Sequence, residues 1–178
     1  MTSARGIVTE VSAWLCQGDL FSSAPVLYYP NLSKDFVVQL RRGPAMLVNH
    51  DCALDKMNSR GEATIERLSF VKVHNLSTAP DHRQNLLRTN ASQLKPFEAH
   101  YLGHVPGLGE SYVVLSDPYH LPADYFGVEA RSFPNLVAGE KRLAITNHDT
   151  RIGRLSDESL TLFRMKWNAY WTRTVPDE

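Results

Sequence analysis

The run RLSDESLTLFRMKWNAYWTR, at 154–173, constrains the fold more than any other part of the chain. Ser156 stands where an N-cap hydroxyl can accept from an unpaired backbone N–H, and Asp157 and Glu158 follow where the helix dipole favours negative charge. Leu155 and Leu160 hold the two positions of a hydrophobic staple. Leu160, Phe163, Trp167 and Tyr170 or Trp171 then recur at spacings of three and four, which makes one apolar face. Arg173 closes the last turn and Pro176 ends it. The spacing predicts a helix over about 156–173 whose aromatic stripe packs on a core.

Upstream the pattern is different. Ten prolines and ten glycines cut the 178 residues into short pieces. Gly6–Leu15 reads as a first strand, and APVLYYP as a strand edge or a loop because of its two prolines. Two more strands, Phe36–Leu40 and Ala45–Asn49, flank an expected turn at Arg41-Arg42-Gly43-Pro44. Arg67–Ser77 alternates, with Leu68 and Phe70 on one face and Val71 and Val73 on the other. FEAHYLGHV and ESYVVLSD form a hairpin across PGLGE; Glu98, His100, Leu102 and His104 share a face of its first strand, expected to be solvated. DHRQNLLRTNASQL is polar and fits a short helix or a loop.

Strands come first and one helix comes last, so the chain lacks the alternation of a doubly wound parallel sheet. No glycine-rich phosphate loop is present, since PGLGE lacks the Lys-Ser/Thr ending. The expected architecture is mostly β with a C-terminal α-helix: a strongly bent antiparallel barrel with the helix packed on it. By length it is a single domain, 1–178, with a barrel core at about 6–125, an irregular connection at 126–155 and the helix after it.

Nineteen basic residues balance nineteen acidic ones, so no global field draws the protein to nucleic acid. The segment 34–95 nevertheless has ten basic against six acidic residues, net +4, which allows a local anionic partner. No apolar run approaches the roughly 18 residues of a helical membrane span. The N-terminal residues lack the apolar segment of a secretion signal, so the expected setting is cytoplasmic, not secreted, and without membrane contact. Cys16 and Cys52 read as reduced thiols. A catalytic thiol at Cys52, beside His50 and Asp51, is disfavoured because neighbours on an extended chain point apart.

Asn-His-Asp occurs twice after an apolar run, at 49–51 and at 147–149. Asn and Asp suit strand ends because their side chains bond the nearby backbone, so the repeat reads as turn chemistry. The sharper alternative is a metal-dependent hydrolase built on His50, Asp51, His148 and Asp149, since imidazole and carboxylate suit zinc, manganese or iron. No HExxH or HxH spacing accompanies it.

The order QGDLF (17–21), RRGPAMLVNHDCALDK (41–56), FVKVHNLST (70–78) and a final helix resembles the PemK/MazF-like small β-barrels, known mainly as endoribonuclease toxins of bacterial toxin–antitoxin pairs. The His-Asp-Cys-Ala ending of the second motif resembles a divergent branch of small bacterial and phage proteins. The resemblance implies an SH3-like barrel and metal-independent, cofactor-free RNA binding or cleavage. In that chemistry an Arg fork neutralises charge on the scissile phosphate while a Thr or Ser hydroxyl positions it. Gly43 stands where the family has Arg, so Arg42, with Arg41, would supply the guanidinium. Ser77 or Thr78 would supply the hydroxyl, and His50 an acid or base. The implied partners are RNA and an antitoxin-like protein. Neutral charge and the aromatics of LYYP and DPYHLPADYF support another reading: a non-catalytic interaction or structural module, in a phage particle or a defence or counter-defence system. Its partner would be an assembly subunit or a second copy of the chain.

Overall fold

Residues 6–28, 39–94 and 97–172 are described by a computed structural model. Its sheet grows from β4 (Arg67–Asn75), the strand with the cleanest alternation. Leu68 and Phe70 are fully buried on one side; Val71 and Val73 are buried on the other. Both faces are therefore covered. Beside β4 lies β3 (Gln39–Leu47), antiparallel from Ala45↔Lys72 to Leu47↔Phe70, and beside β3 lies β2 (Asp19–Tyr28).

The two apolar layers draw on alternate residues of these three strands. Phe21, Ala45, Leu47, Leu68 and Phe70 face one layer, which is closed by β7 (Tyr119–Pro122), a 3-10 turn at Ala123–Phe126, and the hairpin of β8 (Val128–Arg131) with β9 (Arg142–Ile145). Leu20, Met46, Val48, Val71 and Val73 face the other. That side is closed by β5 (Ala99–Val105), β6 (Gly109–Val114), β10 (Arg151–Leu155) and α3 (Asp157–Thr172).

The strand path runs β1-β10-β2-β3-β4-β6-β5, with β7 also on β4 and β1 being Ile7–Val8. β1 and β5, the two ends of this path, come near each other without forming a ladder. The expected mostly-β fold with a C-terminal helix is present, and among the described residues the sheet is not closed into a barrel. A two-residue β1 cannot carry a closing ladder, and a cavity of about 130 Å³ lies at the seam, lined by Gly6, His100, Leu102, Leu155 and Ser159 among others.

Three expectations are corrected. The first strand covers Ile7–Val8 rather than Gly6–Leu15. Arg41-Arg42-Gly43-Pro44 is not a turn but the middle of a continuous β3. Pro44 has no N–H to give a ladder; the β2–β3 register shifts there, so that Ser22 and Ser23 together oppose it in a bulge. Phe36–Val38 of the predicted strand lie outside the described residues. The segment 126–155 is not an irregular connection, because it carries β8, β9 and β10. These strands have four or five residues each and mixed burial, too short for a clear period.

The polar segment left open between helix and loop contains α2 (Asp81–Thr89). The β5–β6 hairpin forms as expected, but a register shift at Tyr101/Gly103 breaks the shared face. His100 is buried and His104 exposed.

α3 follows its sequence signals. Ser156 Oγ accepts from Ser159 N–H at 3.2 Å, and Leu155 and Leu160 pack in the same cluster. Phe163 is fully buried, with Trp167 and Tyr170 against that core. Arg173 and Pro176 lie outside the described residues. Ser156→Ala removes the cap acceptor and is expected to cost about 1 kcal/mol in a urea titration. An unchanged midpoint would mean that water caps α3 equally well.

Candidate functional site

Arg42 lies on the exposed half of β3, opposite Pro25 and next to the β2 bulge. Its Nη2 donates to Tyr125 Oη at 2.7 Å. The Tyr125 ring in turn stacks on His148, with centroids 4.5 Å apart and planes at 14°. Three separate segments thus meet at one surface patch. Gly127, in the left-handed region at φ 57°, makes the approach possible, because a Cβ there would run into Thr146 and Asn147. Thr146 and Asn147 donate their N–H groups to Phe126 O at 3.2 and 2.9 Å, docking the second Asn-His-Asp segment on the 3-10 turn that carries Tyr125. His148 itself has φ 55°, a strained value for a side-chain-bearing residue. Arg41 points elsewhere: it donates to Gln39 at 3.1 Å and lies over the Tyr28 ring at 3.8 Å.

His50 is far from this patch. About 16 Å of strand separates Arg42 from Leu47, and His50 lies beyond that, at the start of α1 (Asp51–Leu54). The first Asn-His-Asp segment is built into a second cluster. Asn49 Oδ1 accepts from Ser69 N–H at 2.6 Å; Asp51 Oδ1 accepts from Gln17 N–H at 2.8 Å. Arg164 of α3 donates to Asp51 Oδ2 and to Gln17 Oε1. His50 Nδ1 caps Cys52 N–H at 3.3 Å and lies 3.1 Å from Cys52 Sγ. A cleft of about 400 Å³ opens beside it, lined by Gln17, Val48, His50, Arg164, Trp167 and Asn168.

Ser77 and Thr78 are in neither cluster. They form a 3-10 turn, Leu76–Thr78, after β4. Ser77 Oγ donates to Asn75 Oδ1 and Thr78 Oγ1 to Asn75 O, both at 2.7 Å. Their hydroxyls serve the turn. Arg41, Arg42, Ser77, Thr78 and His50 are therefore not brought together as one site.

The metal-ligand alternative also finds no shared geometry. Asp149 accepts from Arg151, while Asp51 accepts from Arg164 and Gln17. Among the described residues no three His, Cys, Asp or Glu side chains gather as a metal-holding group. Between the two Asn-His-Asp segments lies a buried ion pair, Asp19–Arg151 at 3.2 Å. Burial pushes the Asp19 carboxyl up to about 6, against the opposing pull of Cys16 N–H and Arg151.

Sequence reasoning had no means of finding Tyr125, Gln17 or Arg164 as site partners. Tyr125 lies in the aromatic run 118–126, and Gln17 in QGDLF, but neither position names its partner. Comparison with protein-family models and with curated proteins gives no match for this chain.

Proposed function

We propose that the protein binds single-stranded RNA without a metal, on the face formed by Arg42, Tyr125 and His148. The observation that carries this reading is the stacked His148–Tyr125 pair with a guanidinium at its edge. Unpaired bases stack on aromatic and imidazole faces, and an Arg fork meets phosphate oxygens in pairs. Tyr125 takes one of the five guanidinium N–H donors, and this orients the group while others remain for a phosphate. Arg41, next to Arg42 on the same strand, lies over the Tyr28 ring in a cation–aromatic contact. Binding is favoured over cleavage because the hydroxyls of Ser77 and Thr78 and the imidazole of His50 lie away from Arg42.

The test is fluorescence anisotropy with a labelled uridine oligomer of about a dozen nucleotides, a length that spans such sites. The expected result is salt-sensitive binding that EDTA leaves unchanged, with the RNA intact on a gel. Arg42→Ala and His148→Ala should each weaken binding by roughly 5- to 30-fold, the scale of one stacked base or one strong phosphate contact. Absence of binding at low salt, or variants that bind like the wild type, would reject this reading.

A second reading has its own observation. The outer halves of β2 and β3 project beyond the ladders with β10 and β4, and on this ribbon Leu40 is 64% and Tyr28 40% exposed. Such an edge can pair with a second copy of the chain. Concentration-dependent dimerisation abolished by Leu40→Lys, with no RNA binding, would favour it.

A further inference from the structure

The His50–Cys52 pair belongs to neither reading, and its geometry differs from the expectation for an extended chain. Because α1 begins at Asp51, the backbone turns and brings residues two apart in sequence onto one side. Cys52 N–H can only donate, so His50 Nδ1 meets it with a lone pair, and the ring proton of the neutral imidazole is on Nε2. The same Nδ1 lies 3.1 Å from Cys52 Sγ, placed to take the thiol proton. Both side chains are exposed, and His50 also lines the cleft of about 400 Å³ shared with Gln17, Arg164, Trp167 and Asn168. Charged groups in this neighbourhood include Asp51 and, from α3, Arg164, bonded to each other, and Asp55 at the C-cap of α1, paired with Arg142.

Cys16 provides an internal contrast. It is half-buried, burial pushes its thiol up, and Asp19 adds to the rise. Cys16 Sγ points to Trp14 O at 3.9 Å, and among the described residues the groups that act on its thiol include no imidazole.

We infer that Cys52 is a nucleophilic thiol with His50 as its base, and that it is a site of reversible S-thiolation by small disulfides such as glutathione disulfide. His50 takes the proton from Sγ, and the thiolate attacks one sulfur of the disulfide. The Cys52–glutathione S–S bond forms as the glutathione–glutathione bond breaks. The released glutathione thiolate takes the proton back from His50, so one thiol and one disulfide enter and one of each leaves. The cleft beside His50 gives room for the peptide part of the adduct.

The test incubates the full-length protein with glutathione disulfide at pH 6.5 and pH 9, followed by intact mass and peptide mapping. The expected product is one glutathione per chain, on Cys52, removed by dithiothreitol, with Cys16 unmodified. At pH 6.5, His50→Asn should slow the reaction by about tenfold or more, whereas at pH 9, where thiols ionise unaided, the two rates should converge. Asn keeps an N-cap acceptor for Cys52 N–H, so loss of the base is separated from loss of the cap; His50→Ser, another good cap, should behave alike. Thermal melts of both variants check their folding. Equal rates for wild type and variants at pH 6.5, modification of Cys16 ahead of Cys52, or no adduct at Cys52 would each overturn the inference.

Discussion

Phe70→Ala should lower the unfolding free energy by about 3–5 kcal/mol, a large part of the roughly 5–15 kcal/mol that holds a domain together. Phe70 has no exposed surface and is the centre of an aromatic cluster. Its ring lies 5.4 Å from Phe21, 5.5 Å from Phe126 and 5.9 Å from Tyr119. Those neighbours come from β2, the 3-10 turn and β7, while Phe70 comes from β4. A cavity walled by four elements cannot shrink by a local shift, so the cavity penalty should add to the lost transfer energy. Urea titration measures the effect; a loss under about 1 kcal/mol would mean that the layer repacks freely. The same substitution reaches the surface patch, because Phe126 packs edge-on against Tyr125 at 5.0 Å. If the patch binds RNA as proposed, its affinity should fall in Phe70→Ala even under conditions where the protein stays folded.

What could be read from the sequence follows from how local each feature is. α3 was legible because the Ser156 cap, the Leu155–Leu160 staple and the Phe163–Trp167 stripe all lie within a few turns of one another. The same holds for β4 and for the β5–β6 hairpin, whose turn residues adjoin their strands. β3 was misread because Pro44 is accommodated by Ser22 and Ser23, which lie far away in sequence. No local rule says that a bulge elsewhere will absorb a proline. The open seam between β1 and β5 among the described residues has a related reason, since the length of β1 depends on what the rest of Gly6–Leu15 pairs with. Leu15 N–H, for example, goes to Leu143 O at 2.7 Å.

The candidate sites divide along the same line. Arg42 and the second histidine of the Asn-His-Asp repeat were visible as residues, but their meeting at Tyr125 spans 83 positions in one direction and a separate loop in the other. His50 and Cys52 are only two residues apart, and what the sequence leaves open there is the backbone conformation. Asn-His-Asp followed by Cys-Ala-Leu is a capped helical start as well as a strand end, and the helical option is the one that lets Nδ1 meet Sγ.

Two buried groups should contribute to the pH dependence of stability with opposite signs. Burial pushes His100 down to about 3, with Lys166 adding to the fall, and His100 Nδ1 has no hydrogen-bond partner among the described residues. The unfolded chain takes up that proton near 6.5, so His100 costs stability as pH falls from 6.5 towards 3. Asp19 runs the other way. Its folded value of about 6 lies above the unfolded 3.8, so the native state binds the extra proton, and stability rises as pH falls through that window. Each group contributes a slope of at most about 1.4 kcal/mol per pH unit, with opposite signs, so between roughly pH 6 and 4 they should nearly cancel. His100→Leu should therefore lose the His100 slope and gain stability relative to the wild type on acidification from pH 6 to 4. Asp19→Asn should lose the Asp19 slope and fall in stability relative to the wild type over the same range. Below pH 4 the Asp19 contribution is complete, and the wild type should weaken more steeply than His100→Leu. Denaturant midpoints of the three proteins at half-unit steps from pH 7 to 3.5 test this directly, since every other titrating group cancels in the differences. Parallel profiles would show that neither burial perturbs its group as argued, and that the ion pair with Arg151 keeps Asp19 ionised throughout.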